Sequence, residues 1–461
     1  MLESRMTRMR AVASALLGAV LTAGVAAQQS AAFPPLDPDL RERIDTYATA
    51  GMEAEGIPGL VLAVVDEEHG RYLAGYGTRG GAAEMTPGTP VRIGSATKTV
   101  TALAVMQLVE RGDVSLDTPA AEYLHGHPAP AGPAGAEVTV RHLLSHTSGI
   151  AGGATGVDTA ERAAPPGERF IYADANFNAA GRIIEAVTGE GYEAYLRSAI
   201  FARLPGPGCR TSPGSGDGAD AAAQGHARGL FGLNVARDAV VAPFEVPSVG
   251  LLCSAEAGAA YLSALLEGGG PLLSAHGLSR MWRPEVAAAG PGLGEDVSYG
   301  LGWFIAGEGR SRRVWHAGTI SSSQSSFRLY PARGRGVFVA MNVNGLMLFG
   351  FTNDLAEGVS AILDGEEPAA FTPLETARTT RVIVTTATSL SLLWLLLSIN
   401  AFRLRRRRGR LPVRRRRDVV RGVLLPLVPD ALVLVFFLYS VPAGFGVGVA
   451  GLPGVALDLF M

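Results

Sequence analysis

Gly94-Ser95-Ala96-Thr97-Lys98 sets a hydroxyl and an amine three residues apart at the start of an apolar run. On a helix those two side chains share a face. A serine hydroxyl is a weak nucleophile until a neighbour takes its proton. A lysine that is desolvated, or that lies beside another cation, can do so because its pKa falls. A helix N-terminus adds free N–H groups and partial positive charge, which favour a nucleophile and a developing oxyanion. Alone, the spacing is as well explained by a serine N-cap followed by a solvated lysine. Tyr172-Ala173-Asp174 follows PPGERFI and precedes a helix. A tyrosine beside Ser and Lys can relay a proton to a leaving group. His316-Ala317-Gly318-Thr319 begins inside a strand-rich region, where Gly318 permits close backbone approach to a ligand. Taken singly, Tyr172 is also a core aromatic and His316 a strand-end histidine.

The elements that must position these residues are legible. LVLAVVD, EEHG and RYLAGYG between Gly59 and Gly77 read as a β-hairpin. Thr97–Arg111 reads as a buried helix stopped by Gly112. Further helices are expected from Val138, over Asn178–Thr188 before Gly189, over Ala255–Leu266, and ending at Val359–Leu363. Strands are expected at Arg313–Trp315, Ser325–Tyr330 and Gly336–Asn342, with a turn at Pro331–Gly334. Strands at both ends and helices between them predict an α+β domain whose sheet joins its two termini.

In these blocks the chain resembles the serine β-lactamase-related family: class C β-lactamases, D-alanyl-D-alanine carboxypeptidases and related esterases. The resemblance runs from about Gly56 to Gly345. It is carried by IPGLVLAVVD, RIGSATKTVTALAVMQLVERGDVSLDTPAAEYL, VTVRHLLSHTSGI, PPGERFIYADANFNAAGRIIEAVTG, YGLGWF and HAG. It implies a β-lactamase/transpeptidase-like fold, an antiparallel sheet flanked by helices plus a helical subdomain. It implies that Ser95 is acylated and that Lys98 and Tyr172 share general base and acid work. His316 stands where the family has Lys or His, and would orient a substrate carboxylate or tune Tyr172. The backbone N–H groups of Ser95 and Thr319 would form the oxyanion hole. His146 and Ser148 of the SHTSG block read as structural, since Ser148 lacks a Lys or His at nucleophile spacing.

One departure bears on the substrate. The family usually has Tyr-Ser-Asn; this chain has Tyr172-Ala173-Asp174. Ionised aspartate only accepts hydrogen bonds, whereas asparagine also donates. Asp174 is expected to pair with Lys98, raise its pKa and repel a carboxylate-bearing substrate such as a β-lactam or a D-Ala terminus. A neutral ester or amide is therefore favoured. The alternative is a penicillin-binding or cell-wall-sensing protein with little or no turnover.

Composition sets the compartment. The 461 residues are 48% hydrophobic, which points to apolar segments outside a globular core. Residues 1–27 hold Arg5, Arg8 and Arg10, then an apolar stretch ending Val25-Ala26-Ala27, and read as a signal peptide, with an uncleaved anchor as the alternative. Residues 28–364 form the hydrolase domain and 365–381 a linker. Residues 382–402 are uncharged and long enough to span a bilayer. Residues 403–421 follow with eleven Arg and one Asp. That run carries +10 of a net charge of −2, leaving −12 elsewhere. Positive loops stay cytoplasmic, so the domain is expected outside the cytoplasm. A second transmembrane segment is expected over 422–447 and an apolar tail over 448–461. An acidic domain argues against nucleic acid as a partner. Export admits a Cys209–Cys253 disulfide, with buried free thiols as the alternative. His125-Gly-His127 lacks the acid of a metal-binding HxHxD, since Ala129 stands there. No metal or organic cofactor is implied, and oligomeric state is left open.

Overall fold

The computed structural model describes residues 33–124, 137–156, 161–211, 222–228, 233–237, 239–288, 296–345, 348 and 350–371, with a few helical residues between 386 and 404. The signal peptide, the His125-Gly-His127 loop, most of the first span and its basic loop, the second span and the tail lie outside these residues. Among the described residues no helix is long and apolar enough to cross a membrane.

Helix α1 (Pro38–Glu55) precedes β1 (Gly59–Asp66), β2 (Gly70–Gly80), β3 (Ala83–Glu84) and β4 (Val91–Arg92). A helical stretch follows: α2 (Thr97–Arg111), α3 (Val140–Leu144), α4 (Asp174–Thr188) and α5 (Tyr192–Ala199). Next come β5 (Arg210–Thr211), β6 (His226–Arg228), β7 (Asn234–Ala236), α6 (Val246–Val249), β8 (Leu251–Cys253), α7 (Ala255–Leu266) and α8 (Ala275–Met281). The chain then returns through β9 (Val286–Ala287), β10 (Ser298–Tyr299), β11 (Phe304–Ala306), β12 (Arg313–Ile320), β13 (Ser323–Tyr330), β14 (Arg335–Met341) and β15 (Val343–Asn344) to α9 (Phe351–Leu363).

The main sheet has nine strands in the order β3-β2-β1-β14-β13-β12-β11-β10-β9. Its antiparallel β1–β14 pairing, from Leu60↔Met341 to Asp66↔Arg335, joins the two ends of the domain as expected. All eight residues of β1 are buried, because both faces of the sheet are covered. The two-residue period of a strand sorts them between two cores. Val61, Ala63 and Val65 join the large core with α2, α4 and α7. Leu60, Leu62 and Val64 join a second core with α1 and α9. Helix α2 is buried continuously from Thr97 to Leu108, which explains an apolar sequence on every side. It stops where expected, at left-handed Gly112.

Two of the expected boundaries move, and the closing helix ends at Leu363 as expected. Helix α4 begins at Asp174, four residues before Asn178, with Ala173 at its N-cap and no side-chain cap. Strand β12, expected over Arg313–Trp315, runs on to Ile320. The Phe371 ring packs 4.5 Å from Tyr47 and 5.0 Å from Phe351, and Ala369 O accepts from Tyr47 Oη. Residues up to Phe371 therefore dock on the domain.

Asp66 and Arg335, both buried, close the end of the β1–β14 pair at 2.5 Å. Burial pushes the Asp66 carboxyl up, but hydrogen bonds from Arg335 and His69 outweigh it and hold the pKa below the usual range. The pair therefore stabilises the fold above the ordinary carboxylate pKa, and that contribution is lost as pH falls through the lowered value. Arg335→Leu strands the carboxylate, an expected loss of about 3–5 kcal/mol in urea unfolding at neutral pH.

Candidate active site

Ser95 lies in a 3-10 turn, Gly94–Ala96, that feeds directly into α2. No side-chain cap is made there, so Ser95 is not a conventional N-cap. Strand β12 presses on this turn through two glycines. Gly94 has φ +51°, and a Cβ on it would fall 2.8–2.9 Å from the Thr319 backbone. A Cβ on Gly318 would fall 1.8 Å from Ile93 O. Gly318 thus permits the close approach of the strand to the nucleophile turn. Behind it, β13 pins the turn: Ser323 Oγ donates to Arg92 O at 2.8 Å and Ser325 Oγ to Ile93 O at 2.7 Å.

Lys98 lies one turn along α2 and is fully buried. Its ammonium has three donors. They go to Asp174 Oδ1 at 2.6 Å, Ser95 Oγ at 3.1 Å and Ser248 O at 3.1 Å. Asp174 and the Ser248 carbonyl can only accept, so Lys98 supplies those protons. Burial alone would push the Lys98 pKa down; Asp174, with Tyr172, outweighs burial and holds it above its ordinary value. Asp174 is in the first turn of α4, where the helix end favours a carboxylate. Its side chain keeps 28% of its exposure.

Tyr172 lies just before that helix, and Lys98 Nζ is 4.9 Å from its ring centre. Burial pushes the Tyr172 phenol up; Lys98 and Ser95 pull it down, and the net direction is upward. Ser95, Lys98, Tyr172 and Asp174 are thus brought together.

His316 is placed differently from a carboxylate-binding cation. It is 1% exposed, with its ring centre 6.3 Å from that of Tyr172. Nδ1 donates to Ala317 O at 2.7 Å, since a carbonyl can only accept. Nε2 then accepts from Tyr299 Oη at 3.0 Å. Burial, then the nearby Lys98 charge, hold its pKa at about 3, so the ring is neutral. Its two nitrogens are satisfied inside the protein.

The segment from α6 to β8 holds the nucleophile turn from the other side. Besides Ser248 O, Pro247 O accepts from Thr101 Oγ1 at 2.7 Å, Leu251 O from Ile93 N at 2.9 Å, and Thr97 Oγ1 from Leu251 N at 3.2 Å. Cys253 faces Val91 across β4 and β8, and is disulfide-bonded to Cys209. Ser148, buried, donates to Asn176 Oδ1 at 2.6 Å and has no part in this cluster. Sequence reasoning missed Ser248, Ser323, Ser325 and Tyr299. The first acts through its carbonyl, which every residue has, and the others act through tertiary contacts between segments distant in sequence or not paired in a sheet.

The sequence model of the family described as Beta-lactamase matches residues 44–359. Penicillin-binding protein 4 of Amycolatopsis lactamdurans is 33% identical over 181 residues, covering 36% of this chain and 46% of that protein. The chain thus spans about half the length of that curated relative. Among solved structures, the octameric penicillin-binding protein homologue from Pyrococcus abyssi superposes with a TM-score of 0.62 at 26% identity, over 71% of this chain and 78% of that one. The D-amino acid amidase from Ochrobactrum anthropi SV3, complexed with D-phenylalanine, shares the fold with a TM-score of 0.60 at 21% identity, over 71% and 99%. With the fold, the Ser95–Lys98 turn and a match over most of its length, the chain belongs to the Beta-lactamase family.

Proposed function

We propose that the chain is an extracytoplasmic serine hydrolase, anchored in a membrane by its C-terminal segments, that cleaves a neutral ester or amide through an acyl-enzyme at Ser95. One observation carries the reading: Ser95 Oγ lies 3.1 Å from the amine of a fully buried lysine. Lys98 in its free-base form takes the Ser95 proton as Oγ attacks the substrate carbonyl. The backbone N–H groups of Ser95 and Thr319, drawn together by Gly94 and Gly318, receive the oxyanion. Tyr172 protonates the leaving alcohol or amine and is reprotonated by Lys98. Water then attacks the acyl-enzyme and gives its proton to Lys98, which passes it to the departing Ser95 Oγ, so that the acid is released and both Ser95 and the free amine are restored.

Charge selects the substrate. Asp174 neutralises Lys98, and His316 is neutral, so neither basic group offers net charge to a substrate carboxylate. p-Nitrophenyl esters of uncharged acids are expected to turn over, with nitrocefin and D-Ala-D-Ala peptides far slower. Nitrocefin hydrolysis at a kcat/KM of about 10⁴ M⁻¹s⁻¹ or more, ordinary for an enzyme, overturns this choice.

The same ion pair sets the pH dependence. Activity rises with pH as the raised Lys98 pKa is approached, because only the free amine accepts the Ser95 proton. Asp174→Asn removes the group that raises it, so the rising limb of kcat/KM moves to lower pH and the rate at pH 7 increases. A limb left in place means that Lys98 is not the base.

Asp174 also favours a second reading, a penicillin-binding or cell-wall-sensing protein. Lys98 held as an ammonium slows deacylation as well as acylation. A burst of one acyl group per chain followed by a stall identifies that case. Membrane anchoring rests on the apolar segment 382–402 and the eleven arginines after it. Its test is protease protection in membrane vesicles of known sidedness, with the domain expected on the non-cytoplasmic side.

A further inference from the structure

The SHTSG block is not used by the chemistry above, yet its histidine is built into the site. His146 is fully buried and has φ +56°, the one positive φ at a non-glycine residue among the described residues. Such a conformation is uncommon outside glycine and costs free energy that its surroundings must offset. What surrounds it is the Tyr172 segment. His146 O accepts from Ile171 N at 2.8 Å. His146 Nδ1 accepts from Ala173 N at 3.3 Å. The residues on either side of Tyr172 are therefore both tied to one histidine. Its ring lies 4.3 Å from the Tyr172 ring, centre to centre, inclined at 32°. Phe177, Tyr299 and Phe170 pack against the ring at 5.2, 5.1 and 5.7 Å.

The tautomer follows from these contacts. Nδ1 accepts from a backbone N–H and lies 3.0 Å from the Asn176 amide nitrogen, so the ring proton is on Nε2. Nε2 is buried and has no hydrogen-bond partner among the described residues. Burial, then Lys98 and His316, hold the ring well below its ordinary pKa and so neutral. Asn176 in turn accepts from Ser148, which fixes the amide that faces Nδ1. Gly149, at φ +79°, closes the turn where a Cβ would fall 1.9 Å from Ala164 O.

We propose that His146 is a positioning residue for Tyr172: its carbonyl, its Nδ1 and its ring face together hold the phenol at Ser95 and Lys98. The inference rests on the acyl-enzyme reading for its kinetic consequence, but not for its geometry. His146 touches neither substrate nor the reacting atoms.

The test compares His146→Gly and His146→Asn in the full chain. Glycine keeps the positive φ and the backbone carbonyl but removes the ring. Asparagine also tolerates that φ, and its side-chain oxygen stands near the place of Nδ1. Two readouts are taken: the acylation rate with a p-nitrophenyl ester, and the 19F resonance of 3-fluorotyrosine placed at position 172. His146→Gly is expected to lower kcat about 10- to 100-fold with KM little changed, the scale of a small misplacement of a catalytic group. Its 19F line shifts or broadens, and His146→Asn recovers at least part of both. An unmoved 19F resonance in His146→Gly overturns the inference, whatever the rate. So does a rate loss shared equally by the two variants and matched by their urea midpoints, which is a purely structural role. A wild-type protein that is never acylated defeats the hydrolase reading instead, and the 19F comparison still decides the role of His146.

Discussion

Ser95→Ala lowers kcat for every ester or amide the protein accepts by on the order of 10⁴-fold or more, the scale seen when a serine nucleophile is removed. The variant is expected to stay folded. Ser95 is only half-buried, and the turn that carries it is held by neighbours, not by its hydroxyl. Ser323 and Ser325 bind the carbonyls of Arg92 and Ile93, and Leu251 bridges Ile93 and Thr97. The urea midpoint therefore stays within error of wild type while turnover disappears. Residual catalysis above water reflects the backbone donors around the turn.

Lys98 gives the second large effect. Lys98→Met keeps much of the side-chain volume but removes the proton acceptor, and kcat falls by on the order of 10²–10⁴-fold, the range of general-base catalysis. Asp174 and Ser248 O lose their donor, yet Asp174 is partly exposed and water can replace it. The desolvation of a buried ammonium disappears at the same time, so stability changes less than rate. Lys98→Arg is the informative partner. A guanidinium can still pair with Asp174, but it does not give up its proton in a protein. Lys98→Arg is expected to be as slow as Lys98→Met in kcat measured from pH 7 to 10. Activity retained in Lys98→Arg assigns Lys98 an electrostatic role and transfers the base to another group.

The limits of sequence reading have physical reasons. Ser95, Lys98 and Tyr172 were legible because their side chains carry the chemistry and their spacing is local to short blocks. The pairing of Asp174 with Lys98, 76 residues apart, was also legible, because a carboxylate where the family has an amide must find a cation. Helix α2 was readable to both ends, since an apolar run closed by Gly112 has one interpretation. The start of α4 was not, because Ala173 supplies no capping side chain and tertiary contacts set the boundary. The sequence allows His316 either to orient a substrate carboxylate or to tune Tyr172. Its burial on β12 and its hydrogen bond to Tyr299, two strands away in the sheet, have no local signature. That Gly318 permits close backbone approach was legible; that the nucleophile turn is what packs there was not, because the contact joins positions more than 200 residues apart. The docking of Phe371 against Tyr47 and Phe351 joins the far end of the domain to its first helix, a contact between positions more than 300 residues apart.

Covalent capture at Ser95 tests the central claim most directly. The full chain is treated with a fluorophosphonate, weighed by intact-protein mass spectrometry and mapped by proteolysis. The predicted result is one adduct per chain, located on Ser95, formed faster as pH rises and absent from Ser95→Ala. An unmodified wild-type protein, or an adduct that persists in Ser95→Ala, contradicts it.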